Sequence, residues 1–261
     1  MFEWPSARHI YLSPHLDDVV LSCGGTLFQQ ARQGETIAVV TIFAGSPPPG
    51  PLSSFVEELH QRWQAAAPTV DLRDPPAVRR QEDLRALRRL SAAILPMHLP
   101  LSDCIYRTDS QGNALYDSRD QIFGEVSGED PTRSTLETAG PPPPGTIVYA
   151  PLGVGHHVDH QIVHDWARGW GLPAQVRYYE DYPYAADEAA LRTITENLHD
   201  WEQTCNTISE RALAAKIEAT ACYETQISSF WENVEAMKVA LTKQVRRSGG
   251  ECFWQEGSQP S

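Results

Sequence analysis

The chain has 261 residues and a formal net charge of −13. This excess of acid argues against non-specific binding to nucleic acid or to anionic membranes, because both require clustered Lys and Arg. No apolar stretch reaches the roughly 20 residues needed to span a bilayer, and the N-terminus lacks the basic and apolar segments of a signal peptide. A chain of this length can bury one substantial core. We therefore expect one cytoplasmic domain over residues 1–261.

Strand-like and helix-like segments alternate along the chain. In chain order we expect strands over 9–14, 36–44, 97–101, 146–150 and 176–179, and helices over 19–32, 55–67, 76–93 and within 209–243. Such alternation is typical of βαβ units. It predicts an α/β fold with a Rossmann-like, mainly parallel sheet flanked by helices.

Two segments, 45–53 and 106–145, are rich in Pro, Gly, Ser and Asp and lack clear periodicity. We expect them to be loop insertions within the single domain. Loops of this length in a compact domain often form lids or walls of binding sites. The alternative is partial disorder of residues 127–144, whose Gly-Pro-Pro-Pro-Pro-Gly end favours an extended chain.

The cysteines are scattered, at Cys23, Cys104, Cys205, Cys222 and Cys252. No two are close enough in sequence to form a zinc-binding pair, and their odd number predicts no disulfide framework. This usage fits a reducing cytosol.

The most informative segment is 13–18, with the sequence Ser-Pro-His-Leu-Asp-Asp, directly after the first predicted strand. Open α/β sheets form their active sites outside the carboxyl ends of their strands. His15 and Asp18 are three residues apart across a tight turn, so both can point at one metal ion, whereas Asp17 is free to act as a base. The alternative is that the two acids only cap the following helix.

A second cluster follows the predicted strand over 146–150. It consists of His156, His157, Asp159, His160 and His164. Together, His15, Asp18 and His160 would form a two-His, one-carboxylate site of the kind that catalytic zinc uses. Such a site also accepts ferrous iron. The alternatives are a helix-capping role for Asp159 and, for His156 and His164, positions at the surface or behind the metal ligands.

These two motifs resemble those of the PIG-L/LmbE family of zinc-dependent N-deacetylases, which have the forms His-Pro-Asp-Asp and His-x-Asp-His. Leu16 replaces the usual proline of the first motif. Weaker matches extend over nearly the whole chain, at Arg79, Glu82, Asp103, Lys216, Tyr223, Gln226 and Glu251. The resemblance implies a PIG-L/LmbE-like fold and removal of an N-acetyl or other acyl group from an N-acetylglucosamine-type amino sugar or its conjugate.

The resemblance also assigns roles to individual positions. It implies a zinc site formed by His15, Asp18 and His160. It implies that Asp17 is the general base. It further implies that His157 stabilises the oxyanion as an imidazolium, with its ring oriented by Asp159.

Arg79 and Asp103 match positions that line the sugar pocket in the family, so the resemblance implies that they bind substrate hydroxyls by charge-assisted hydrogen bonds. The alternative is that Arg79 pairs with Glu82 or Asp83 on its own helix.

Two other functions are compatible with the metal ligands. A noncatalytic metal- or sugar-binding module would have no need of Asp17 and His157. A metal-dependent phosphoesterase generally uses two ions and more bridging carboxylates than this sequence offers. The expected partner is a small N-acylated amino sugar or glycoconjugate, with neither nucleic acid nor membrane. The oligomeric state is left open, a homo-oligomer included.

Overall fold

Seven strands form one sheet in the computed structural model, which describes residues 3–68, 74–173 and 175–257. They are β1 (His9–Ser13), β2 (Ile37–Thr41), β3 (Leu95–His98), β4 (Ile147–Pro151), β5 (Val176–Tyr179), β6 (Trp201–Asn206) and β7 (Glu251–Glu256). Their spatial order is β3-β2-β1-β4-β5-β7-β6. The first five strands are parallel, and β7 and β6 extend one edge in antiparallel fashion. The predicted mainly parallel, Rossmann-like sheet is confirmed.

Helices cover both faces of this sheet. They are α1 (Asp18–Arg32), α2 (Ser54–Ala66), α3 (Pro75–Leu90), α4 (Arg119–Ile122), α5 (Thr132–Glu137), α6 (Val158–Gly169), α7 (Glu188–Thr195), α8 (Glu210–Thr220), α9 (Ile227–Phe230) and α10 (Val234–Ser248). In β1, Ile10 and Leu12 pack into a core shared with α5 and α6, whereas Tyr11 packs into the opposite core with α1, α3 and α8. Burial on both faces explains the continuous apolar run of β1.

Several element boundaries differ from the sequence prediction. The strand expected over 97–101 lies at Leu95–His98, because Pro100 has no N–H with which to continue a ladder. The helical region expected within 209–243 is divided into α8, α9 and α10. The segment 106–145 contains α4 and α5. The strands β6 and β7 and the helix α7 were not predicted. Residues 1–2 and 258–261 of the expected domain lie outside the described residues.

The cysteine prediction was wrong in one respect. Cys205 and Cys252 form a disulfide between β6 and β7, where they lie opposite each other with Cα atoms 4.0 Å apart. They are 47 residues apart in sequence, so their spacing gave no sign of the pairing. Because disulfides persist mainly in oxidising compartments, the cysteines do not support a reducing cytosol, and the cytoplasmic location stays a prediction. Within the described parts of the chain, the helices are too short or too polar to span a bilayer.

A buried ion pair connects α8 with β7, and its carboxylate also binds α1. Lys216 Nζ lies 2.7 Å from Glu251 Oε1, and both side chains are almost fully buried. The Glu251 carboxylate also accepts hydrogen bonds from the backbone N–H groups of Gly25 and Thr26 in α1. Gly25 leaves room for this approach, since a Cβ there would lie 2.7 Å from Ile208. The pair therefore fixes the helix that begins at the first motif.

Loss of one partner of this pair is expected to be costly. Lys216→Met leaves the Glu251 carboxylate buried without a cation, so we expect the free energy of unfolding to fall by about 3–5 kcal/mol in denaturant titrations. Lys238→Met is the matched control, because the Lys238–Glu235 pair is exposed and such pairs contribute at most about 1 kcal/mol. Equal stability of the two variants would contradict a stabilising role for the buried pair.

Candidate metal centre and active site

The two sequence motifs meet at the carboxyl ends of β1 and β4, which are neighbours in the sheet. The first motif occupies the turn from β1 into α1, and the second occupies the start of α6 after β4. The ring centroids of His15, His157 and His160 lie 4.8–5.5 Å apart. A nitrogen of each ring is within 4.8 Å of one on the other two. The topology thus brings together residues more than 140 positions apart.

His15, Asp18 and His160 present their donor atoms to one another. Asp18 Oδ2 lies 3.2 Å from His15 Nδ1 and 3.3 Å from His160 Nε2. The His160 Nε2 atom is buried without a hydrogen-bond partner. A carboxylate oxygen and two imidazole nitrogens in this arrangement are the donor set of a catalytic zinc site, so the residues present fit a divalent metal ion.

Asp181, which the sequence analysis missed, orients His160. Its Oδ1 lies 2.6 Å from His160 Nδ1, and its Oδ2 accepts hydrogen bonds from the backbone N–H groups of Gly153 and Val154. With Nδ1–H donating to Asp181, the Nε2 atom of His160 faces Asp18, where it can carry a second proton or bind a metal ion. Against the opposing effect of burial, Asp18 and Asp181 raise the pKa of His160 to about 9. The pair therefore favours positive charge at this position. Its one sequence signal is that Asp181 follows a strand, as Asp17 does.

Asp159 contacts a different histidine from the one expected. Its Oδ2 lies 2.9 Å from His15 Nε2 and accepts a hydrogen bond from the backbone N–H of Cys104, and its Oδ1 faces the Arg107 guanidinium. The carboxylate therefore orients His15, whose Nδ1 is left facing Asp18. It is the backbone N–H of Asp159 that contacts His157, through Nδ1 at 3.2 Å. Asp159 does not cap α6 either, since His157 occupies the N-cap position.

The surroundings of His157 favour its neutral form. Burial, together with the neighbouring His15 and His160 rings, lowers its pKa well below the ordinary value for histidine. The expected imidazolium is thus not supported. Because Nδ1 accepts from the backbone N–H of Asp159, the single proton of the neutral ring is on Nε2. A neutral Nε2–H can still donate a hydrogen bond to a developing oxyanion.

The side chain of Asp17 does not cap the helix that it precedes. It occupies the N-cap position of α1, but its side chain makes no capping hydrogen bond. Burial raises its pKa to about 6; the Arg79 guanidinium, 3.6 Å away, opposes this rise and the neighbouring Asp18 adds to it. A carboxylate with such a pKa is ionised at neutral pH and accepts a proton readily.

Arg79 and Asp103 lie together in the cleft above this cluster. Arg79 Nη1 is 3.8 Å from Asp103 Oδ2, and its guanidinium lies over the Trp63 ring. Asp103 Oδ2 is also 3.8 Å from His15 Nε2. Both predicted substrate-binding side chains therefore lie beside the candidate metal site, and their binding role stays a prediction.

The acids that follow Arg79 on α3 contact other partners. Glu82 accepts hydrogen bonds from the backbone N–H and hydroxyl of Thr225. Asp83 contacts His98 Nε2 and accepts a hydrogen bond from the Tyr223 hydroxyl. These contacts fix the turn between α8 and α9, which explains why the predicted long helix is broken there.

The segment 106–145 forms one wall of the site. Arg107 donates hydrogen bonds to Asp130 Oδ2 and to the Thr132 hydroxyl, and it faces Asp159 at the metal centre. The same segment contributes Arg119, Asp120, Ile122 and Phe123 to the lining of a cleft of about 640 Å³, which also reaches His15, Asp17 and His157. The insertion thus forms part of the wall of a cleft, and substrate binding there stays a prediction.

His156 and His164 lie outside the metal cluster. The His156 side chain is 47% exposed, with Nε2 3.9 Å from Glu125 Oε1. His164 is half-buried on α6, where Nδ1 contacts the backbone oxygen of Pro151. His156 therefore lies at the surface, as one of the alternatives predicted. His164 packs between α6 and the end of β4.

Comparison with known proteins defines the class of this site. The model of the PIG-L family, described as GlcNAc-PI de-N-acetylase, matches residues 10–170. The chain belongs to the PIG-L family, as the two motifs predicted.

Two curated relatives have related names. The 2'-N-acetylparomamine deacetylase of Niallia circulans is 30% identical over 189 residues, which are 67% of this chain and 66% of that protein. The enzyme of the same name from Streptomyces fradiae is 31% identical over 195 residues, 72% of this chain and 63% of that protein. The chain thus spans slightly less than two thirds of the length of these relatives.

Solved structures show the same fold over nearly the whole chain. The zinc-inhibited form of teicoplanin deacetylase Orf2 superimposes with a TM-score of 0.76 and 25% identity, covering 97% of this chain and all of that one. The A40926 pseudoaglycone deacetylase Dbv21 gives a TM-score of 0.66 and 26% identity, covering 97% of both chains. All four relatives are named deacetylases, which supports the prediction of an N-deacetylase.

Proposed function

We propose that this protein is a metal-dependent hydrolase that removes the N-acetyl or another N-acyl group from an N-acetylglucosamine-type amino sugar or its conjugate. The observation that carries the proposal is the convergence of His15, Asp18 and His160 beside Asp17, whose carboxylate makes no capping hydrogen bond. Membership of the PIG-L family and the names of the relatives support the reaction class.

His15 Nδ1, Asp18 Oδ2 and His160 Nε2 would hold the metal ion. When bound, a divalent ion polarises the amide carbonyl and lowers the pKa of water. Zinc suits this donor set, and ferrous iron is the alternative. The carboxylates of Asp159 and Asp181 hold the two imidazoles in the tautomers that a metal requires.

Asp17 would move the protons of the reaction. It takes a proton from the water molecule that attacks the amide carbon, and it returns this proton to the leaving nitrogen as the C–N bond breaks. His157 donates its Nε2–H to the carbonyl oxygen as negative charge develops there. Arg79 and Asp103 hold hydroxyl groups of the sugar.

The direct test is a screen of N-acetylglucosamine and its conjugates with metal-replete protein, with the free amine and the released acetate as readouts. A parallel assay measures phosphate release from phosphate esters. Release of phosphate without acetate would favour the phosphoesterase alternative, and sugar binding without either product would favour a noncatalytic module.

The role of His157 can be tested separately. His157→Ala is expected to lower kcat by about 10²–10³, the range for loss of one oxyanion donor, while metal content stays unchanged. His156→Ala is the matched control, since that neighbouring side chain is exposed. Near-normal kcat in His157→Ala would remove this residue from the proposed mechanism.

A further inference from the structure

The cleft changes character between its floor and its wall. The floor carries the ionisable side chains, whereas part of the wall is formed by Leu59, Ile122, Phe123 and Phe230. We call these four residues the apolar wall. They come from α2, from the end of α4 and the residue after it, and from α9. All four are only partly buried, so apolar surface is left accessible in the cleft.

The apolar wall begins directly beside the reacting groups. The ring centroid of Phe123 lies 5.2 Å from that of His157 and 5.7 Å from that of Tyr184. On the other side, Phe230 and Asp17 line a common small cavity. A substituent close to the scissile amide would therefore contact the wall.

The size of the cleft exceeds the need of one amino sugar. Its volume of about 640 Å³ falls within the range of roughly 300–1,000 Å³ that holds drug-sized ligands. A monosaccharide fills a small part of that range and offers mainly hydroxyl groups. Accessible apolar surface grouped in a cleft commonly marks a ligand-binding site.

Charge around the cleft gives no competing preference for an ionic substituent. Two exposed guanidinium groups, of Arg62 and Arg119, and two exposed carboxylates, of Asp120 and Asp187, line it. These exposed charges balance, and the three buried acids of the floor lie against Arg79 or the histidines. Selection by charge would require an excess of one sign.

We propose that the apolar wall binds a bulky apolar or aromatic substituent of the amino sugar, and that this substituent determines substrate preference. The inference rests on the proposed function. Two positions on the sugar can carry the substituent: the anomeric oxygen, as an aglycone, or the nitrogen, as an acyl chain longer than acetyl. The chemistry that the wall recognises is the same in both cases.

Four substrates distinguish these sources. They are N-acetylglucosamine, its 2-naphthyl glycoside, N-octanoylglucosamine, and the 2-aminoethyl glycoside of N-acetylglucosamine as a polar, charged control. We expect kcat/KM for the naphthyl or the octanoyl substrate to exceed that for N-acetylglucosamine at least tenfold, because burial of an apolar group of this size supplies at least that factor. A gain on the naphthyl glycoside identifies the aglycone, and a gain on the octanoyl sugar identifies the acyl chain.

Variants of the wall test the assignment to these residues. In Phe123→Ala and in Phe230→Ala, the ratio of kcat/KM for the preferred apolar substrate to that for N-acetylglucosamine is expected to fall about tenfold. The ratio cancels any general loss of activity. Phe28→Ala is the control, because Phe28 is also a partly buried phenylalanine but packs on α1 with the core around Tyr11 and does not line the cleft. It should leave the ratio unchanged.

A binding measurement separates failure of the inference from failure of the proposed function. The two ligands are 2-naphthyl glucoside and methyl glucoside, which contain no amide. The difference between their affinities, measured by calorimetry, reflects contact of the naphthyl group with the apolar wall and does not depend on hydrolysis. Tighter binding of the naphthyl compound, lost in Phe123→Ala or Phe230→Ala, would uphold the inference even if no N-acyl sugar were hydrolysed. Equal affinities together with equal kcat/KM values, or a preference for the aminoethyl glycoside, would overturn it.

Discussion

Asp17→Asn is expected to lower kcat by about 10²–10⁴ while the protein keeps its metal. The amide has the same shape as the carboxylate, but it cannot accept the proton of water. The change should disturb the fold little, because the Asp17 side chain makes no capping hydrogen bond and its nearest charged partner is Arg79, 3.6 Å away. Steady-state kinetics and metal analysis of the purified variant check both parts of this expectation.

Asp120→Asn provides the control for Asp17→Asn. Asp120 is an exposed carboxylate that lines the same cleft and is remote in sequence from both motifs. Its loss should change kcat by far less than the loss of Asp17. If Asp17→Asn lost metal to the same extent as Asp18→Ala, the division between base and ligand would be wrong.

His160→Ala is expected to reduce metal affinity more than about 100-fold and to abolish turnover, with the circular dichroism spectrum unchanged. The imidazole is one of three donors and is held by Asp181 alone on its far side. Asp181→Ala removes that support and the acceptor of two backbone N–H groups, but no ligand atom. We therefore expect a smaller loss of metal affinity, about 10–100-fold. Chelator competition measures the affinities of the two variants side by side.

His164→Ala is the matched control for the metal series, because His164 lies on the same helix and contacts a backbone oxygen rather than the cluster. It should retain its metal. Full metal occupancy in His160→Ala would remove that residue from the centre. The proposed ligands are supported if His160→Ala binds the metal more weakly than Asp181→Ala does, and Asp181→Ala more weakly than the unmodified protein.

The fold and the two motifs could be read from the sequence because they depend on local patterns. An apolar strand that ends in His15, Asp17 and Asp18 is short and contiguous, and the parallel topology brings the ends of β1 and β4 together. The strands β6 and β7 gave no such pattern. In β6 the side chains are mostly exposed, so neither a continuous apolar run nor a clear alternation marks it.

The contacts of the site with distant residues were decided by the tertiary structure. The sequence placed Asp159 two positions from His157, yet its carboxylate contacts His15, 144 residues away, because both side chains enter the same edge of the sheet from neighbouring strands. In the same way, Asp181 meets His160 through the pairing of β4 with β5.

The sequence alone was enough to predict the five parallel strands, the family and the two motifs of ionisable residues after β1 and β4. The tertiary structure alone decided which carboxylate supports which imidazole, that the His157 surroundings favour its neutral form, and that Cys205 lies opposite Cys252. The physical reason is common to all three. Periodicity and adjacency are properties of neighbouring residues, whereas hydrogen-bond partners, burial and disulfide pairing depend on which remote segments the folded chain brings into contact.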